Sequence, residues 1–176
     1  MSSGGEVLEF FTGCDFEEFK RYLERAGRYE KEGELDWLET FLRKGLLNLI
    51  VWRLDGEVVG NAIWHESNTD EHRKGDPRDE EDREALRRLL GGKRDFVELH
   101  EVWLLDEYRG KGYGERFFEF FEEYMRRKGY DRIVFLCESS GGFGYLSQAR
   151  IQGRRFYIHR WSSRIRLLPS TKEITS

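Results

Sequence analysis

Cysteine is scarce in this chain, with only Cys14 and Cys137 among 176 residues and no C-x-x-C pair. Two such distant residues give no disulfide framework and point to reduced, structural thiols. Long apolar runs are missing too, and none approaches the roughly 20 residues that span a bilayer. The opening Met1-Ser2-Ser3-Gly4-Gly5 has neither the basic start nor the apolar stretch of a secretory signal. A cytoplasmic protein with no membrane partner is therefore expected. Charge of a single sign is also lacking: charged residues make up 36% with both signs mixed, and the net charge is −4. That is no electrostatic footprint for nucleic acid, and none is expected as a partner. The four histidines, His65, His72, His100 and His159, show no H-x3-H pairing with Cys or carboxylate, so no metal is expected. No G-x-S-x-G elbow is present for a serine hydrolase. Cys137 lies in an apolar segment, where burial raises a thiol's pKa and leaves it inert.

Large aromatic residues are plentiful. Thirteen Phe, eight Tyr and five Trp supply the buried area that a modest apolar fraction would otherwise withhold. The length fits one domain over residues 1–176. Val7–Thr12 reads as a first strand, closed by Gly13. Asp15 then caps a helix with Phe16, Phe19, Tyr22, Leu23 and Ala26 at helical spacing, stopped by Gly27. Leu35, Leu38, Phe41 and Leu42 indicate a second helix ending near Gly45. Leu47–Leu54 and Glu57–Trp64 read as two strands joined by the hairpin turn Asp55-Gly56. Residues 67–93 form a highly charged insertion: a solvated loop over 68–78, then a short helix over 79–90. A lid over an acceptor site is the functional alternative to a solvated insertion. Phe96–Leu105 is a strand, Glu115–Met125 a helix running without a breaker to Gly129, and Arg132–Glu138 an apolar strand. Ser139–Gly144 is a break, Tyr145–His159 a weaker helix, and Ser163–Leu168 a last strand.

Between the strand at 96–105 and the helix lies Arg109-Gly110-Lys111-Gly112-Tyr113-Gly114. Strand, glycine loop and helix together aim backbone N–H groups at a phosphate, with the helix dipole favouring its charge. A dinucleotide fingerprint would need its third glycine one residue later, and a P-loop would need Ser or Thr after Lys111. The stretch instead resembles the R/Q-x-x-G-x-G/A motif of the GNAT acyltransferase superfamily, with Arg109, Gly112 and Gly114 at the signature positions. The element order resembles the GNAT fold across essentially the whole chain. The resemblance implies an α/β (α+β) fold with a mixed, mostly antiparallel sheet, splayed between its fourth and fifth strands and flanked by helices.

It also implies the cofactor site and the chemistry. Acetyl-CoA is the expected cosubstrate and an amine-bearing molecule its partner, acylated by direct attack in a ternary complex. The backbone of Val102, Trp103 and Leu104 would hold the pantetheine arm as an added strand. The N–H groups of Gly110, Lys111, Gly112, Tyr113 and Gly114 would hold the pyrophosphate, with charge from Arg109 and Lys111. Asp106 stands where family members often have Pro. Glu98 and His100 share a strand face and match the positions where the family carries a base; a polar pair on a solvated face is the alternative. Glu101, on the other face, is held in reserve. The family's general acid is a Tyr in the last helix, and Arg154-Arg155-Phe156-Tyr157 matches its Phe-Tyr, making Tyr157 the candidate acid and Tyr145 its substitute. Arg150, Gly153 and Trp161-Ser162 depart from that pattern. A non-catalytic acyl-CoA-binding regulatory module is the competing reading, a GNAT-type fold using aminoacyl or longer acyl donors is a third, and a homodimer is left open. The acidic charge balance favours association with cationic amines.

Overall fold

The structure is a computed structural model that describes residues 6–68, 84, 87–88, 90–92, 94–130, 132–138, 154–161 and 173–174. Its strands are β1 (Leu8–Thr12), β2 (Asn48–Leu54), β3 (Glu57–Asn68), β4 (Asp95–Leu104), β5 (Arg132–Glu138), β6 (Arg154–Trp161) and β7 (Glu173–Ile174). Helices α1 (Phe16–Ala26) and α2 (Glu34–Arg43) follow β1, and α3 (Tyr113–Arg127) follows β4. The strands lie in chain order in one mixed sheet, β1-β2-β3-β4-β5-β6-β7. β1–β2, β2–β3 and β6–β7 pair antiparallel, while β4–β5 and β5–β6 pair parallel. The chain forms two compact units, Met1–His65 with Glu101–Gly114 and Glu66–His100 with Glu115–Ser176.

In the first unit the punctuation residues do what their chemistry dictates. The Asp15 carboxylate accepts from the Glu18 N–H at 3.3 Å, satisfying one of the amides orphaned at the start of α1. Gly27, at φ +65°, ends that helix, and the Arg28 N–H returns to the Leu23 carbonyl at 3.0 Å. Phe19, Tyr22 and Leu23 are the buried stripe of α1, and Leu38 is the fully buried residue of α2. Asp55 and Gly56, at φ +50° and +87°, make the tight turn between β2 and β3. Gly60 on β3 serves a different end. A Cβ there would lie 2.9 Å from the Trp103 carbonyl oxygen and 3.0 Å from the Trp52 ring, so β3 approaches β4 as closely as it does because no side chain intervenes.

In the second unit, β4 and β5 pair through Val97↔Ile133, Glu98↔Val134 and Leu99↔Phe135. β5 then runs beside β6 along its whole length, from Arg132↔Arg155 to Glu138↔Trp161. Phe117, Phe121 and Met125 are fully buried at four-residue spacing along α3. The helix ends as α1 does, with Gly129 at φ +92° and the Tyr130 N–H bonded to the Met125 carbonyl at 3.0 Å.

Three expectations change. Residues 154–161 are a strand parallel to β5, not the end of a helix over Tyr145–His159. Arg-Arg-Phe-Tyr-Ile-His-Arg-Trp carries Phe, Tyr, Trp and Ile, which suit a strand, against three Arg that suit a helix, and the ladder with β5 decides the conformation. Ser67 and Asn68, assigned to the insertion, complete β3 instead. α3 starts at Tyr113, two residues before the expected Glu115, so the last glycine of the loop lies inside its first turn. Tyr145, the break at 139–144, the loop at 69–83 and the strand at 163–168 lie outside the described residues. Residues 84, 87 and 88 are helical, and Leu90 is fully buried. No described helix is long and apolar enough to cross a membrane.

Candidate functional site

β4 carries Glu98, His100, Val102, Trp103 and Leu104, and its pairing with β3 fixes which way the last of these turn. The Leu105 N–H bonds to the Val59 carbonyl of β3 at 2.9 Å, and the Trp103 carbonyl faces Gly60 and accepts from the Tyr22 hydroxyl at 3.4 Å. Successive residues of a strand point their N–H and C=O groups to opposite edges. Residues 103 and 105 therefore turn towards β3, and Val102 and Leu104 turn away from it. Of the three residues expected to hold a ligand arm, Val102 and Leu104 direct their main-chain groups away from β3, whereas the Trp103 carbonyl faces it.

Side chains on the other alternation build a buried network. Glu101, 8% exposed, takes the Arg28 guanidinium on Oε1 and the Asn61 amide on Oε2 at 2.8 Å. Asn61, 1% exposed, accepts the Tyr22 hydroxyl at 2.8 Å, which fixes its amide orientation. Tyr29 also hydrogen-bonds Glu101. Burial pushes the Tyr22 and Tyr29 phenols well above their usual range, and the Glu101 carboxylate adds to it, so both stay neutral at physiological pH. Burial works against the Arg28 charge, but the Glu101 carboxylate outweighs it and holds the guanidinium above its ordinary value. Both Glu101 oxygens are thus engaged by donors. A proton delivered there would cost one of these bonds, which argues against Glu101 as the base held in reserve.

Trp103 joins this network to the loop. The Arg28 guanidinium lies 4.5 Å and that of Arg109 4.7 Å from the centre of its ring. Arg109 also donates from Nε to the Leu104 carbonyl at 3.1 Å and pairs through Nη1 with Asp106 at 3.1 Å. Beside the indole, Arg25, Ala26, Leu105, Asp106 and Glu107 complete the lining of a cavity of about 240 Å³. Arg25 and Glu107 form an ion pair of 2.9 Å in that lining.

The loop itself has the shape that an anion requires. Asp106–Tyr108 forms a single 3-10 turn, after which Gly110 and Gly112 adopt φ +79° and +83°, a region costly for any residue with a Cβ. Gly114 has no such backbone requirement. At all three glycines an added Cβ would meet nothing within 4 Å among the described residues. Among the described residues nothing fills the space before α3, at the end of a helix where amides lack intrahelical acceptors. Tyr113 is buried, with its hydroxyl on the Glu6 carboxylate. Lys111 is exposed, its Nζ 5.7 Å from the Tyr108 ring. These residues fit a diphosphate-bearing ligand.

Glu98 is 3% exposed and His100 is half-buried, so neither belongs to a solvated strand face. Backbone pairing puts Tyr157 beside Val134 on β6. At Cys14, near the start of α1, burial and then Glu18 push the thiol pKa up, which disfavours the thiolate. No cluster of three or more metal-ligating side chains occurs among the described residues. The Arg28–Glu101–Asn61–Tyr22 network is the part of the site that sequence reasoning missed. A Glu interrupting an apolar strand was its one visible signal.

A mixed sheet whose fourth strand passes through a glycine loop into an amphipathic helix is the frame of an acetyltransferase. The sequence profile of the acetyltransferase (GNAT) family matches residues 6–142, and the chain belongs to that family. Solved structures share the fold at low identity. The ribosomal-protein-alanine N-acetyltransferase of Brucella melitensis biovar Abortus 2308 is 16% identical, with a TM-score of 0.58 over 91% of this chain and 98% of that one. The aminoglycoside N-acetyltransferase AAC(6')-Iy, solved with CoA, is 13% identical with a TM-score of 0.56, covering 84% of this chain and 86% of its own. A GNAT family acetyltransferase of Staphylococcus aureus is 17% identical with a TM-score of 0.51, over 77% and 87%. No curated protein matches the chain by sequence.

Proposed function

We propose that this protein transfers an acetyl group from acetyl-CoA to an amine by direct attack in a ternary complex. The observation that carries the reading is the open, positive-φ glycine loop at the start of α3, continuous with a strand that turns Val102 and Leu104 away from its sheet partner. Family membership and a fold neighbour solved with CoA support it. Bound there, acetyl-CoA supplies an acyl group activated as a thioester. The main chain of Gly110 to Gly114 would hold the pyrophosphate, and Val102 and Leu104 the pantetheine amides.

An alkylammonium titrates near pKa 10.4, at about the value of lysine, so the acceptor must lose a proton before it attacks. An imidazole is the side chain that ordinarily exchanges a proton near neutrality, which makes His100 the first candidate to take it. Glu98, being buried, is the alternative, directly or through a water. Glutamine at the residue that acts is expected to remove the acidic limb of the kcat/KM–pH profile and to slow the reaction by about a hundredfold. Full activity at every pH in both His100→Gln and Glu98→Gln would reject the pair.

Tyr157 is retained as the group that protonates the departing thiolate, although its backbone is a strand rather than the expected helix. Thiols ionise near pKa 8.5, at about the free cysteine value, so little help is needed. Tyr157→Phe should lower kcat by about 10- to 100-fold without changing acetyl-CoA affinity. An unchanged kcat would leave protonation to water.

The general test is a thermal shift with acetyl-CoA followed by thiol release against an amine panel. Stabilisation with release on one amine class supports the transferase. Stabilisation with no release on any amine supports a non-catalytic acyl-CoA-binding module, a reading favoured by the strand found where the family's last helix was expected.

A further inference from the structure

We propose that Arg109 is a positioning residue: its side chain fixes the exposed edge of β4 for the pantetheine arm and does not serve as a phosphate ligand. The inference rests on the acyl-CoA reading of the site and deepens it. Three contacts engage the guanidinium, and all three are internal. Nε holds the Leu104 carbonyl at 3.1 Å, Nη1 holds Asp106 at 3.1 Å, and the plane lies over the Trp103 ring at 4.7 Å. Together they span the last two residues of β4 and the turn leading to the glycines. The side chain closes the corner between the strand and the loop.

The contact with Leu104 has a chemical result. Residues 103 and 105 direct their main-chain groups to β3, so the groups available to an added strand belong to Val102 and Leu104. Arg109 then takes the Leu104 carbonyl. Among the described residues, what remains on that edge is one carbonyl, that of Val102, with the N–H groups of Val102 and Leu104. Pantetheine carries two amides, each with one donor and one acceptor. Its two donors have one strand acceptor between them, so every register that needs the Leu104 carbonyl is removed. Were the Leu104 carbonyl released, a second register two residues along would compete. A lysine at 109 would keep the charge but not the rigid fork that reaches Leu104 and Asp106 while lying on the indole.

Charge and position can be separated with ligand fragments. Dissociation constants of CoA, pantetheine and ADP are measured for the wild type and Arg109→Lys, the weak fragments by displacement of CoA. Pantetheine lacks the pyrophosphate, and ADP lacks the pantetheine arm. If Arg109 positions the strand, Arg109→Lys weakens CoA and pantetheine by the same factor, about tenfold for a lost charge-assisted hydrogen bond, and leaves ADP within about twofold. Asp106→Asn, which loosens the same clasp, should shift pantetheine in the same direction. ADP and CoA weakened together with pantetheine unchanged would overturn the inference and make Arg109 a phosphate ligand. No change with any ligand would overturn it too. A folded wild type that binds none of the three fails the acyl-CoA reading itself.

Discussion

Gly112→Asp is expected to abolish CoA binding in a protein that still folds. The residue sits at φ +83°, so any side chain costs about 1–2 kcal/mol of backbone strain, which a domain of this size tolerates. The larger effect is on the ligand. A carboxylate about 4 Å from a phosphate charge at a protein surface is repelled by about 4 kcal/mol, or about a thousandfold in affinity. Gly114→Ala separates fold from site in the opposite direction. Its backbone has no need of glycine and its Cβ meets nothing within 4 Å among the described residues, so alanine in the first turn of α3 should stabilise the fold through helix propensity, by up to about 1 kcal/mol, and raise Tm. It should at the same time weaken CoA by filling the approach. The checks are Tm without ligand and the Tm increment with CoA. Normal increments in both variants would move the cosubstrate away from this loop.

Glu101→Ala is expected to cause a large loss of stability for a change at a polar residue of β4. It leaves the Asn61 amide buried with no acceptor and strips Arg28 of its counter-charge at a half-buried position. An orphaned buried donor costs about 1–3 kcal/mol, and breaking a fully buried pair about 3–5. Because the Arg28 side chain is 33% exposed, the lower part of the combined range applies, about 3 kcal/mol. For a chain of this length that is a fall in Tm of about 6–12 °C. Glu101→Gln should cost less, since its carbonyl still accepts one of the two donors. Denaturant or thermal unfolding checks both, and a loss under about 1 kcal/mol for Glu101→Ala would show that water replaces the carboxylate.

What the sequence made legible was whatever local chemistry decides. Asp15, Gly27, Asp55-Gly56 and Gly129 each act within a few residues of themselves, and each ended or began an element where its chemistry required. The glycine loop belongs to the same class, because three glycines opening an amphipathic helix constrain one another over six positions. The network at Glu101 was not legible, for its partners Arg28 and Asn61 stand 73 and 40 residues away. Nothing in an alternating strand says which polar residue will find such partners. Residues 154–161 failed for another reason. A Phe-Tyr pair matched a family pattern for a helix, while the aromatic and β-branched content around it favoured a strand and β5 offered an edge to pair with.

The stacking at Trp103 bears on how a charged ligand reaches the site. Two cations lie over one indole, and each is held by its own anion, Arg28 by Glu101 and Arg109 by Asp106. Four formal charges thus meet at the end of β4 and sum to zero. A monopole would reach out to about a Debye length, some 8 Å at physiological salt, but an arrangement of alternating signs fades within a few ångströms. The strand end is therefore rigid without being attractive at a distance. Among the described residues of this corner, the pull on an incoming polyanion would come from the amides of the glycine loop and the exposed charge of Lys111, at short range and late in the encounter.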